Sequence, residues 1–165
     1  MQITAATQQH LDSIMKVIET ARQIMRESGN MTQWVGYPSV EVISEDIHLN
    51  QAFVCWQDTQ IVGYFCLITG SDPDPNYRVI EGGKWLDERP YGVIHRLASG
   101  RQVKGVAQAA FDYAFSIIDN IRVDTHHDNF PMQNFLKKNG FTYCGIIYVN
   151  DGTPRDAFQK HRENT

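Results

Sequence analysis

An α/β (α+β) fold spanning residues 1–165 as one domain is predicted from three observations. Strand-like and helix-like runs follow each other in the order strand, two helices, three strands, helix, strand, helix, two strands. No repeat, low-complexity tract or linker interrupts that order. A chain of 165 residues also suits a single core, burying about 68–70% of its unfolded surface.

The first strand is read at residues 3–6. Over residues 8–27, Leu11, Ile14, Met15, Ile18 and Met25 fall on one helical face, with Thr7 as candidate N-cap and Gly29 beyond the end. After the loop Trp34-Val35-Gly36-Tyr37-Pro38, Ser39 caps a second helix carrying Val40, Ile43 and Ile47 on one side. Runs 52–56 and 61–69, rich in Val, Ile, Phe and Tyr, flank the turn-like residues 57–60 and predict a hairpin. Residues 70–90, with their Asp-Pro pairs and Gly82-Gly83, are predicted to be mostly loop, with a short strand at 77–81. Long loops in compact domains are often functional. A strand at 91–98, a helix at 104–120, a strand at 121–125 and a helix at 131–139 stopped by Gly140 follow. A strand at 141–150 then turns at Asp151-Gly152 into a last strand, 153–159.

Composition narrows the function. The 42% hydrophobic and 11% aromatic content is ordinary for a packed core, and no apolar run approaches the roughly 18 residues of a membrane span. The first residues have neither a basic n-region nor an apolar stretch, so cytoplasmic residence is expected. Cys55, Cys66 and Cys144 all lie in strand-like runs, an odd count that argues against a disulfide framework. Their spacing matches no zinc pattern, and His126-His127 is read as pointing two ways from extended chain, so no metal is expected. A formal charge of −4 without a basic run speaks against nucleic acid.

The most informative segment is Gln102-Val103-Lys104-Gly105-Val106-Ala107, between a strand-like and a helix-like run. A turn passing straight into a helix exposes backbone N–H groups without intrahelical partners, at the positive end of the helix dipole. Gly105 allows close backbone approach to phosphate oxygens, and Ala107 keeps the first turn slim. The same residues also read as a glycine near an ordinary helix start. A third glycine of the dinucleotide fingerprint and the Gly-Lys-Ser/Thr ending of a P-loop are both missing.

The pattern Gln-x-x-Gly-x-Ala resembles the acetyl-CoA signature of the GNAT superfamily of N-acetyltransferases. The element order resembles the GNAT fold over nearly the whole chain, as do the Asn129-led helix ending in Gly140-Phe141 and the Asp151-Gly152 hairpin. The resemblance implies a central mixed, mostly antiparallel sheet of about seven strands, splayed in the middle and flanked by about four helices. It implies acetyl-CoA as cosubstrate, lying between the strands that end at Ala98 and near Thr125. Leu97 and Ala98 would offer backbone groups to the pantetheine amides, Gln102, Val103, Lys104, Gly105, Val106 and Ala107 would hold the pyrophosphate, and Asn129 and Phe135 would add cofactor contacts. Asn129 reads equally as a helix cap.

The reaction implied is direct attack of a neutral amine on the thioester, with an N-acetyltransferase acting on a small-molecule primary amine as the preferred reading. Candidate bases are His95, Asp124 and His126, although a core histidine is the commoner meaning of His95. Many relatives carry a tyrosine acid seven residues after the asparagine; here Leu136 stands there. Tyr148, Cys144, Tyr143 or water are the substitutes considered. Trp34, Tyr37, Glu81 and Trp85 are assigned to the acceptor, with Asp72 and Asp74 nearby in the loop, though the tryptophans equally read as loop anchors. A non-catalytic acyl-CoA sensor and a peptide or protein N-acetyltransferase are the alternatives, and a monomer or homodimer is expected.

Overall fold

The computed structural model describes residues 1–101 and 103–162. Seven strands form one mixed sheet in the order β1-β2-β3-β4-β5-β7-β6, with four α-helices among the described residues. The strands are β1 (Gln2–Ala5), β2 (Ala52–Gln57), β3 (Gln60–Gly70), β4 (Tyr91–Ser99), β5 (Asn120–Thr125), β6 (Thr142–Tyr148) and β7 (Pro154–His161). The helices are α1 (Leu11–Glu27), α2 (Val40–His48), α3 (Val106–Ile117) and α4 (Phe130–Lys138). β4 and β5 run parallel, while the pairs β1·β2, β2·β3, β5·β7 and β6·β7 are antiparallel. The chain divides into two compact units, residues 1–67 with 94–114 and residues 68–93 with 115–165.

In the first unit, α1 buries Ile14, Val17, Ile18 and Ala21, the i, i+3, i+4, i+7 stripe of an amphipathic helix. Thr7 is the N-cap, as expected, of the helical run that begins at Gln8. The chain first makes a 3₁₀ turn at Gln8–His10, closed by the Thr7 amide donating to His10 Nδ1 at 3.0 Å, and α1 begins only at Leu11. Ser39 caps α2 as expected, its hydroxyl accepting from the Val42 amide. The buried face of α2 differs from the expected one: Val40 is exposed, and Asp46 joins Ile43 and Ile47 inside. A charge stands where the pattern called for an apolar residue, and it is balanced locally, as described below. Ile14, Ile18, Ile43, Val54 and Tyr64 are fully buried in one cluster, each aliphatic side chain contributing about 1.5–3 kcal/mol by leaving water.

In the second unit, residues 77–81 do not form a strand. Asp74 and Pro75 instead start a 3₁₀ turn at Pro75–Tyr77, with Asp74 Oδ1 accepting from the Asn76 amide at 2.9 Å, and pairing is reduced to one bridge between Glu81 and Ile146. That bridge faces a β-bulge at Tyr143/Gly145, where a Cβ on Gly145 would lie 2.5 Å from the Glu81 carbonyl oxygen. Alternate residues of β5, Asn120, Arg122 and Asp124, fasten the loop before β4. Asn120 donates to Asp87 and the Pro90 carbonyl, Arg122 donates to the Asp87 carbonyl at 2.6 Å, and Asp124 accepts from the Tyr77 hydroxyl at 2.5 Å. Asn120 thus opens a strand rather than ending α3, which stops at Ile117.

Candidate active site

The turn into α3 opens on a left-handed glycine. Gly105 adopts φ +89°, and its carbonyl accepts the first helical bond from the Ala109 amide at 2.9 Å. The preceding N–H groups at this helix end have no partner within the helix. Lys104 and Gly105 are exposed, Val103 and Ala107 half-buried, and Val106 is buried, anchoring the helix start in the first unit. Gln102 lies outside the described residues. The Gly100 amide donates to the Val62 carbonyl at 2.8 Å, and Arg101 forks onto Glu27 at 2.8 and 3.1 Å, fixing the entry to the turn. A nearby open cleft of about 450 Å³ meets the turn only at Gly105; its Asp112 carboxylate suits it poorly to phosphate.

Upstream, Leu97 is half-buried and Ala98 is buried in the same unit's core. The residue before them was not singled out by sequence reasoning. Arg96 sits in mid-strand at φ +55°, a left-handed conformation costing roughly 1–3 kcal/mol for a non-glycine residue. Its guanidinium forks onto Asp46 at 2.7 and 2.5 Å, with side chains 14% and 6% exposed. The fully buried Tyr64 donates to the same carboxylate at 2.6 Å, and Arg96 Nη1 donates to the Tyr37 hydroxyl at 2.8 Å. Burial disfavours the guanidinium charge, but the Asp46 bonds overcome it and hold the Arg96 pKa above its ordinary value. Burial pushes the neighbouring Cys66 thiol up to about 12, so it is a neutral packing group. The available signal was the polar pair His95-Arg96 inside an otherwise apolar strand, together with Asp46 on the apolar face of α2.

His95 is half-buried in β4. Trp34, at φ +61°, packs against the first unit's core, whereas Tyr37 is 39% exposed. The loop between them is tied back to α1: Arg22 donates to the Tyr37 and Pro38 carbonyls, and Arg26 to those of Asn30 and Gln33.

The second unit brings Glu81 and Tyr148 together, the exposed tyrosine hydroxyl donating to the carboxylate at 2.9 Å. That bond raises the Tyr148 pKa, because losing the proton would set two anions side by side. Trp85 is engaged in packing: its indole N–H donates to the Tyr77 carbonyl at 2.8 Å, and Arg122 lies 4.4 Å over its ring. Asp124 is half-buried against Tyr77. His126 is buried, and its Nδ1 accepts from the Asp128 amide at 3.0 Å. Burial first, then the charges of Arg155 and His127, pulls its pKa below the ordinary histidine value, favouring a neutral ring. The two adjacent histidines do not point apart as expected. Their rings stack at 4.4 Å because the chain turns after β5. Asn129 caps α4, its Oδ1 accepting from the Met132 amide at 3.3 Å. Phe135 is half-buried, while Leu136 is fully buried. Cys144 is buried, its thiol pKa raised by that burial. Among the described residues no helix is long and apolar enough to cross a membrane.

A GNAT-family acetyltransferase structure from Streptococcus agalactiae superposes with a TM-score of 0.88 at 34% identity, over 99% of this chain and 96% of that one. This chain belongs to the GNAT family of acetyltransferases. Two further structures share the fold at lower identity. A GNAT-family acetyltransferase from Listeria monocytogenes gives a TM-score of 0.70 at 19% identity, covering 97% and 94% of the two chains. A ribosomal-protein-alanine N-acetyltransferase from Brucella melitensis gives 0.63 at 13%, covering 98% and 99%. No protein-family model and no curated protein matches the chain. The seven-stranded mixed sheet with four helices is the GNAT fold, as the sequence resemblance implied.

Proposed function

We propose that this GNAT protein transfers the acetyl group of acetyl-CoA to the primary amine of a small molecule by direct attack. The observation that carries this reading is the helix start at Gly105: an exposed, left-handed glycine opening α3 beside exposed Lys104. The site fits an anionic cosubstrate, because the first amides of a helix have no intrahelical partner and stand at the positive end of its dipole. Acetyl-CoA supplies the thioester carbonyl. In this reading, Val103 to Ala107 hold the pyrophosphate together with Gln102, the Leu97 and Ala98 backbone receives the pantetheine amides, and Asn129 and Phe135 complete the cofactor set.

A protonated amine must lose its proton before attack. Among the candidate bases, His126 is kept neutral by burial, but its Nδ1 is committed to the Asp128 amide and its proton then sits on Nε2, which makes it the weaker candidate, whereas the Asp124 carboxylate is oriented by Tyr77. His95 remains a third candidate. On the acid side, Leu136 carries no hydroxyl and is wholly buried, Cys144 holds a buried thiol, and the Tyr148 proton is shared with Glu81. These features support departure of the thiolate without a dedicated acid. Glu81 and Tyr37 are the exposed members of the acceptor set, whereas Trp34 and Trp85 hold their loops. A cytoplasmic monomer or homodimer, with no metal or nucleic acid, completes the reading.

The missing acid favours one second reading, an acyl-CoA-binding protein without turnover. Calorimetry with acetyl-CoA and longer acyl-CoAs, followed by thiol release across small amines and an amino-terminal peptide, separates the two. Binding with release on small amines supports the enzyme. Binding with release only on the peptide moves the acceptor to protein, as for the ribosomal-protein-alanine N-acetyltransferase from Brucella melitensis. Binding without any release supports the sensor. Gly105→Glu, which puts an anion where phosphate would sit, is expected to abolish binding while the chain stays folded. Unchanged affinity in that variant removes the pyrophosphate assignment.

A further inference from the structure

We propose that Arg96 is a positioning residue that locks the Tyr37 loop to strand β4, so that the acceptor-side loop and the cofactor strand cannot shift independently. The inference rests on the function proposed above only in naming what the two elements hold. Its physical basis is a single guanidinium with three engaged nitrogens. Nε and Nη2 grip the two Asp46 oxygens, and Nη1 reaches the Tyr37 hydroxyl at 2.8 Å. Asp46 cannot follow a moving arginine, because it lies between the buried Ile43 and Ile47 on a capped helix and also accepts from buried Tyr64. With the carboxylate fixed, the planar fork fixes the direction of Nη1, and hence the place of the tyrosine hydroxyl.

The Tyr37 loop is held twice. Its backbone is fastened from α1 by Arg22, on the Tyr37 and Pro38 carbonyls, and its ring is fastened from β4 by Arg96. The ring itself is 39% exposed, so the arginine bond is what orients its polar end. At the other end of the same residue, the left-handed backbone of Arg96 sets the direction in which Leu97 and Ala98 present their amides. A left-handed arginine in mid-strand persists only where its surroundings over-determine it, and the Asp46 fork supplies that determination.

Hydrogen exchange of the ligand-free full chain tests the lock. Tyr37→Phe removes one hydroxyl from a partly exposed ring, and Arg96→Lys keeps the charge but loses the fork. Tyr37→Phe is expected to raise exchange about two- to tenfold in residues 31–38 and also in 95–99, as expected for one lost hydrogen bond. Arg96→Lys should raise both further, and Tyr37→Phe in the Arg96→Lys background should add nothing in 95–99. The exposed control Glu45→Gln leaves both segments unchanged. In a parallel arm, acetyl-CoA affinity measured by calorimetry should fall about threefold in Tyr37→Phe, and that loss should vanish in the Arg96→Lys background. A merely structural role gives additive losses instead. Unchanged exchange of 95–99 in Tyr37→Phe, or additive effects of the two substitutions, overturns the proposal. If the parent does not bind acetyl-CoA, the proposed function falls, while the exchange arm still decides the lock.

Discussion

Two arginines stand on the two parallel strands, and they are held in opposite ways. Arg96 on β4 is matched by a buried carboxylate that answers its fork with both oxygens. Arg122 on β5 is 5% exposed and lies between two rings, 4.4 Å from Trp85 and 4.1 Å from Tyr91, and its Nη2 donates to the Asp87 carbonyl. Among the described residues its Nε meets no acceptor. The pKa directions follow: pairing overcomes burial at Arg96, while at Arg122 burial pulls the value below the ordinary arginine range against Tyr91 and Asp87. The comparison separates two uses of a buried cation. A bidentate ion pair fixes an angle, whereas an aromatic sandwich mainly fills space and ties a loop down.

The largest expected effect comes from breaking the matched pair. Asp46→Ala leaves Arg96 and the Tyr64 hydroxyl buried without their acceptor, and is expected to cost about 3–5 kcal/mol in urea unfolding. Asp46→Ala costing less than a Val42→Ala control would show that the pair contributes little beyond packing. Next comes Tyr77→Phe, which strips the half-buried Asp124 of a 2.5 Å donor while keeping the ring between Trp85 and Tyr91. About 1–3 kcal/mol is expected from the same titration. Arg122→Met should cost least of the three, about 1 kcal/mol, because a flexible apolar chain keeps the ring contacts and relieves an unpartnered buried nitrogen. If Arg122→Met proved as costly as Asp46→Ala, the distinction between the two arginines would collapse.

The same contrast explains what the sequence made legible. Periodicity places α1, the Ser39 cap states where α2 begins, and the hairpin is visible in the β-branched runs on either side of Asp58-Thr59. These are local features, decided by neighbours within a few residues. Asp46, Arg96 and Arg122 are long-range features, since their partners lie 50 or 35 positions away or on another strand's rings. A charge on an apolar face is read as an exception until its counter-charge is located. The loop before β4 departs from the strand expected at 77–81 for the same reason: what orders it is the polar face of β5, not its own propensity. Gly105 was legible because a helix start is a local event, while the acid and base were not, since their state depends on burial and on partners such as Tyr77 and Glu81.

The smallest effect is a pH dependence that contrasts a buried neutral group with the two buried cations. His126 has its pKa lowered in the folded chain by burial, then by Arg155 and His127, against the raising influence of Asp128 and Asp156. An unfolded histidine titrates near pH 6.5, so below that value the unfolded chain binds a proton that the folded chain resists. Stability from this group is therefore complete above about pH 6.5 and is lost as pH falls towards the lower folded value. The two arginines stay charged throughout and contribute no such slope. Urea midpoints of the parent and of His126→Gln should run parallel above pH 7 and converge as pH falls towards 5, the variant losing less. If the two curves stayed parallel down to pH 5, His126 would be titrating as an ordinary exposed histidine, and burial would not be what keeps its ring neutral.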